Sequence, residues 1–266
     1  MPSVLIRVTE VQGGKSQRSA MIRRRAFLKA AGLVAAGSFG RAFAVRPQVN
    51  HVAIVGAGII GASIAYYLSR RGCEVTLFDK TGPAAQASGN SFAWLNASWF
   101  DRPDGYYDLR KKSLHEYRWL GTELDFPVRW GGSLEWYRSA AQQQDLHKGV
   151  DRLRSRGEPV AMIGVSDASR LEPRLRAVGN EFAWSRADGA VDSAALTHAL
   201  VERALAHGAR LLAPAMVNAI NARAGGVVVT TDAGELAVDT VVVAAGTGAN
   251  ALTRQLGIGV KLLAPA

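Results

Sequence analysis

Residues 51–79 read HVAIVGAGIIGASIAYYLSRRGCEVTLFD, and the fold turns on this stretch. Val52-Ala53-Ile54-Val55 is a short apolar run rich in β-branched residues, as a parallel strand buried on both faces requires. Gly56-Ala57-Gly58-Ile59-Ile60-Gly61 follows without a break. Ala62 to Arg71 then carries Ile64, Ala65 and Leu68 at helical spacing, and Gly72 is expected to end the helix. Val75-Thr76-Leu77-Phe78 reads as a second strand, closed by Asp79. Strand, glycine turn, helix and strand in that order predict a βαβ unit of an α/β, doubly wound, Rossmann-like domain.

Each glycine of the turn has a physical task. Gly56 is expected to allow the tight turn out of the strand. Gly58 would let the backbone approach a pyrophosphate, where a side chain would stand in the way. Gly61 would let the helix pack close to the strand. The helix N-terminus offers free N–H groups and the positive end of its dipole to phosphates, and Ile59 and Ile60, in the turn ahead of it, are candidate cofactor-binding positions. Asp79 lies near the spacing expected of an acid that accepts from ribose hydroxyls, with Lys80 beside it. Strand, helix and acid together predict a bound dinucleotide. The bland alternative is a glycine-rich turn with no ligand. The unit alone does not separate FAD from NAD.

The next segment bears on that choice. Thr81 to Ser98, TGPAAQASGNSFAWLNAS, is a loop of small and polar residues, where a plain NAD fold would continue quickly to its next helix. The run GAGIIGASIAYYLSRRGCEVTLFDK followed by ASGNSFAWLNAS resembles the opening of the D-amino-acid oxidase and glycine oxidase family. The resemblance covers about residues 50–266. It implies FAD as cofactor, with this loop lying along the pyrophosphate and reaching the isoalloxazine. Ser88, Gly89, Asn90 and Ser91 are then FAD-contacting positions. Small side chains and exposed N–H groups suit an anionic, planar cofactor. An ordinary polar surface loop is the alternative.

Further along, Tyr106 to Leu120 reads as a helix, and Val128 to Tyr137 as a strand pair around a glycine turn. By resemblance the latter begins the substrate domain, to which residues 127–190 would contribute a partial antiparallel sheet. Gln142 to Arg156 is a charged helix, and Asp167 to Pro173 a short helix running into proline. Asp188-Gly189-Ala190-Val191-Asp192-Ser193 resembles an Asp-Gly-x-Val-Asp-Pro element, with Ser193 at the proline position. Asp188 and Asp192 could form a catalytic carboxylate pair. A turn, with Asp192 or Ser193 capping a helix from Ala194 to His207, is the preferred reading. Ala209 to Leu212 is a further strand, and Val217 falls where the family contacts adenine through its backbone. Gly226 to Thr231 opens a hairpin turning at Asp232 to Gly234. Thr240 to Gly246 is a buried strand ending in a glycine turn. Ala245 and Gly246 are carried over from the family as a second approach to the cofactor.

Ahead of this region, residues 1–44 form a leader. Arg24-Arg25-Ala26-Phe27-Leu28-Lys29 matches a twin-arginine signal, a weakly apolar stretch runs from Ala30 to Gly40, and Ala42-Phe43-Ala44 is a small-x-small cleavage site. The apolar stretch is too short for a stable membrane span. Recognition by the twin-arginine export machinery and delivery to the periplasm are expected, or a cytoplasmic protein if the leader is unused. A basic amphipathic helix is the alternative. Residues 1–20 fit no part of a signal, which makes Met21 a candidate start. The leader also explains the net charge of +10, because beyond residue 44 there are 24 basic and 21 acidic residues. A nucleic-acid partner therefore has little support. The single cysteine, Cys73, excludes an intrachain disulfide and a thiolate metal cluster, and reads as a small buried residue. No metal site is expected.

The intact family implies an FAD-dependent oxidoreductase spanning residues 45–266 and beyond, oxidising a small-molecule amine or D-amino acid by hydride transfer to flavin N5. The family's substrate-carboxylate arginine and active-site aromatic would follow Ala266, so no catalytic residue is named. Asp101, His115 and Arg129 are available polar residues with nothing to tie them to chemistry. Two alternatives are a truncated, inactive FAD-binding fragment and an NAD-dependent dehydrogenase. The Ser88–Ser91 loop and the Gly246 turn argue against the latter.

Overall fold

The computed structural model describes residues 51–98, 104–176 and 179–259; the leader and Asp101 lie outside them. Four parallel strands form the central sheet: β1 (His51–Val55), β2 (Glu74–Phe78), β8 (Arg210–Leu212) and β12 (Thr240–Val243), in the order β12-β1-β2-β8. Side chains alternate across it, as the pleat demands. Val52 and Ile54 of β1 join one core with Val75, Leu77 and Val242. Ala53 and Val55 join the opposite core with Phe78, Val241 and Val243.

The first face is covered by helices α1 (Ile59–Arg70) and α5 (Ser193–Ala206). Ala62, Ala65 and Tyr66 of α1 bury against a core that includes Leu196, Leu200 and Ala204 of α5. α1 begins at Ile59, earlier than its apolar spacing suggests, because Gly58 is extended and takes the N-cap position. Gly72 follows its end at φ +82°, the left-handed conformation expected there. Cys73 is half-buried against the same core. The second face is covered by α6 (Ala249–Arg254) and a three-stranded antiparallel meander, β9 (Val217–Arg223), β10 (Gly226–Thr231) and β11 (Gly234–Val238). The expected hairpin is present as β10–β11; β9 is a third strand that was not foreseen.

A second region holds the antiparallel sheet β4-β6-β5, built from β4 (Ser133–Glu135), β5 (Val160–Gly164) and β6 (Glu181–Ser185). Helix α3 (Ala140–Ser155) backs it, with Leu146, Val150 and Leu153 packed near Val160 and Ala183. Helices α2 (Asp104–Glu123) and α4 (Val165–Leu171) match the expected segments. The two-stranded pair β3 (Trp94–Leu95) and β7 (Gly189–Ala190) joins the regions. Residues 128–137 are not a strand pair. Gly132 has the left-handed φ of +77°, but Gly131–Gly132 forms no turn, and the stretches on either side pair with a distant segment. Ser133–Glu135 pairs with β6, while Arg129 exchanges backbone hydrogen bonds with Ala190.

Two glycines separate crowding from conformation. A Cβ at Gly61 would lie 1.8 Å from the Gly56 carbonyl oxygen, whereas one at Gly72 would meet nothing within 4 Å. Gly61→Ala should therefore cost about 3 kcal/mol or more, and Gly72→Ala about 1 kcal/mol from its left-handed backbone alone. Denaturant unfolding of the two variants checks this ordering.

Candidate functional site

The turn after β1 is built by contact between backbones. Gly56 adopts φ +109°, and a Cβ on it would lie 2.4 Å from the Ala244 carbonyl oxygen. The turn out of β1 thus touches the turn out of β12, where Ala244 N–H donates to the Val55 carbonyl at 2.8 Å. Ala245 is half-buried there and Gly246 is exposed at φ +54°. Gly61 packs first against the Gly56 carbonyl and only then, at 3.4 Å, against Ile54. Gly58 differs from both. Its backbone is ordinary, and a Cβ on it would meet only the Ser88 Oγ, at 3.0 Å.

The start of α1 is an open donor site. The amides of Ile60 and Gly61 lie in the first turn, where no intrahelical acceptor exists. No acidic residue occupies that turn, though the Asp79 carboxylate accepts from Ala57 N–H just ahead of it. Ile59 N–H donates to Ser88 Oγ at 2.9 Å, which brings the Ser88–Ser91 loop against the helix start. Within the loop, Gly89 is a spacer, since a Cβ there would lie 2.2 Å from the Ala84 carbonyl. Ala84 has φ +57° and donates its N–H to the Ala57 carbonyl, a contact the sequence did not suggest. Asn90 Nδ2 turns back to donate to the Gln86 carbonyl at 2.9 Å, and Ser91 Oγ accepts from Ala93 N–H at 3.0 Å.

Asp79, at the end of β2, first organises the turn itself. Its Oδ2 accepts from Ala57 N–H at 2.8 Å, and its Oδ1 accepts from Thr81 N–H and Gly82 N–H, both at 2.9 Å. Three of about four acceptor positions on the carboxylate are used, which leaves one, on Oδ2, for a ligand hydroxyl. Ala215 N–H donates to the Asp79 carbonyl at 2.8 Å and so sets the start of β9, with buried Val217, beside β2. Lys80 and Ile60 are exposed nearby. Glycine turn, helix start, loop, Asp79, Val217 and the Ala245–Gly246 turn thus converge on one end of the parallel sheet. His115 and Arg129 are exposed and stand apart from this convergence.

The two aspartates of the Asp188–Ser193 element do different work. Asp192 caps α5, accepting from Ala195 N–H at 2.9 Å, as expected. Asp188 lies between the turn at Arg186–Ala187 and β7. It is 1% exposed, and its Oδ2 accepts from Ser98 Oγ at 2.7 Å and Ser133 Oγ at 2.8 Å. The Trp94 indole N–H faces the same carboxyl without reaching hydrogen-bond geometry. Ser193, foreseen only as a cap, turns its hydroxyl to the loop instead, donating to the Ser88 carbonyl at 2.5 Å.

Comparison with known proteins gives one consistent result. Residues 51–265 match the family model described as FAD dependent oxidoreductase (DAO). Glycine oxidase of Geobacillus kaustophilus is 30% identical over 219 residues, covering 79% of this chain and 58% of that protein. D-amino acid dehydrogenase of Rhodopseudomonas palustris is 26% identical over 268 residues, covering 79% and 63%. The crystal structure of glycine oxidase from Geobacillus kaustophilus superposes with a TM-score of 0.74 at 28% identity, over 79% of this chain and 59% of that one. L-proline dehydrogenase from P. horikoshii shares the fold, with a TM-score of 0.72 at 23% identity over 81% and 57%. The chain spans about three fifths of the length of these relatives.

Burial pushes the Asp188 carboxyl above its ordinary value, against the serine hydrogen bonds that hold it down. The folded protein then binds more protons than the unfolded chain between the unfolded and the raised folded pKa, so stability falls as pH rises through that window. Asp188→Asn removes the ionisation. The Tm of D188N minus that of wild type should therefore increase between about pH 4 and about pH 7. Thermal unfolding at both pH values checks it, and a difference independent of pH would remove the buried-charge account.

Proposed function

The chain belongs to the FAD dependent oxidoreductase (DAO) family, and from that premise we propose that it holds FAD across the converging end of the parallel sheet and oxidises an amine or D-amino acid. One observation carries the cofactor assignment. The first-turn amides of Ile60 and Gly61 in α1 have no intrahelical acceptor, and no acidic residue shares that turn. A pyrophosphate fits that donor set, because these two amides can donate to an anion at the positive end of the helix dipole. Asp79 would take a ribose hydroxyl, Ser88 to Ser91 would follow the pyrophosphate, Val217 would meet the adenine, and Ala245–Gly246 would close the cofactor's other side.

Bound FAD supplies a hydride acceptor for the hydrogen on the substrate carbon. The groups named here bind and orient it, and positioning of that kind is the protein's main part in flavin chemistry. The substrate class is supported by the relatives, an oxidase of glycine and a dehydrogenase of D-amino acids. The region 45–266 is read as the FAD-dependent oxidoreductase part, with residues 127–190 contributing to a substrate domain; the antiparallel sheet β4-β6-β5 supports this division. We further propose that residues 21–44 direct twin-arginine export to the periplasm, on the order of their basic, apolar and small-residue elements.

Purified full-length protein should show a flavin absorption spectrum that survives gel filtration, and reduction of that flavin by glycine or D-amino acids tests the substrate class. Gly58→Val should abolish flavin retention while leaving the far-ultraviolet circular dichroism unchanged, since the backbone there suits any residue. Undiminished flavin in that variant would sink the site. Replacing Arg24 and Arg25 together by Lys should leave the protein in the cytoplasm, and cell fractionation reads the result.

A further inference from the structure

The segment Asp188–Ser193 runs antiparallel along the cofactor loop. Ser98 donates to the Asp188 carboxyl, Leu95 pairs with Gly189, and Trp94 pairs with Ala190. Val191 N–H donates to the Ala93 carbonyl at 3.3 Å. Among the described residues, the backbone hydrogen bonds between the two segments stop there. The part of the loop that turns toward α1 is reached instead by a side chain. Ser193 Oγ donates to the Ser88 carbonyl at 2.5 Å, with the Ser91 carbonyl, at 3.4 Å, a weaker second acceptor. Among the described residues, Ser88–Ser91 have two hydrogen-bonded holds outside their own loop, Ile59 N–H and this hydroxyl.

Ser193 is itself well fixed. It is 8% exposed and opens a 14-residue helix. Its carbonyl accepts from Thr197 Oγ1 at 2.6 Å, and the Asp192 cap secures the turn. The helix does not need this hydroxyl, because the first helical position suits proline at least as well. Its contact is directed across the chain to the loop.

We propose that Ser193 is a positioning residue for the cofactor loop: its hydroxyl holds the Ser88 carbonyl so that the Ser88 side chain meets the start of α1, and thereby sets how tightly FAD is kept. The inference rests on the FAD assignment above. Ser193→Ala and Ser193→Pro remove the hydroxyl, the second in a form the helix start accepts, and Ser193→Thr restores it. Hydrogen exchange on the full-length chains without FAD should be faster at Ile59, Gly89 and Asn90 in S193A and S193P, slow again in S193T, and unchanged in the body of α5. FAD titrated into the same proteins should bind about fivefold more weakly to S193A and S193P, as expected for one lost neutral hydrogen bond, and within about twofold of wild type to S193T. Equal loop exchange in S193A, S193P and wild type would overturn the latch. Faster exchange with unchanged FAD affinity would overturn its effect on the cofactor. A wild-type chain that takes up no FAD would overturn the FAD assignment, and with it the link from latch to cofactor, while exchange still decides the latch itself.

Discussion

Two missing side chains hold this architecture in place. At the end of β1 three backbones meet with no room for a Cβ between them. Gly61 lies against the Gly56 carbonyl, and Gly56 lies against the Ala244 carbonyl. The first contact presses the start of α1 onto the turn. The second presses that turn onto the end of β12. Strand order, helix placement and site all follow, because a helix N-terminus held this close must aim its free amides along the sheet's end rather than away from it. Buried apolar strands then supply the bulk of the stabilisation on either side.

The central unit was legible because its information is local. Strand, turn, helix and strand lie within one short stretch, and each transition is marked by a residue type with a steric reason. The roles of the glycines were legible too, though the neighbour was not. Nothing in GAGIIG says that Gly56 must clear Ala244, since that neighbour arrives with β12. β9 escaped notice for a different reason. Of VNAINAR only Val217 and Ile220 are buried, so the segment lacks the alternation that marks a strand and is held by pairing with β10.

The joint between the two regions was the least legible part. Gly131–Gly132 suggested a turn and with it a local hairpin, and neither forms. The competing partner lay far along the chain, and long-range pairing cannot be read from turn chemistry alone. Asp188 illustrates the same limit. Asp-Gly suggested a turn, but the turn lies earlier, at Arg186–Ala187, Gly189 is already in β7, and the burial of Asp188 depends on Ser98 and Ser133 arriving from two other segments. Ser193 was visible as a departure from the proline of the resembled element and as a possible cap, while its acceptor could be found only in space.

The polarity of the site divides along the end of the sheet. At α1 every free group is a donor. Ser88 adds to them: its oxygen accepts from Ile59 N–H, so its own proton stays available to an anion. A neutral hydroxyl there screens none of the helix dipole, as a carboxylate would. At β2 the reverse holds. Asp79 brings a full negative charge, but three amides surround it, and its remaining lone pair suits a sugar hydroxyl and repels a phosphate. A ligand that is anionic in its middle and carries a ribose to one side meets the right partner at each place only in one orientation. On the proposed cofactor assignment, direction along the sheet would therefore be set by the contrast between Ser88 and Asp79, before any contact to the cofactor's rings.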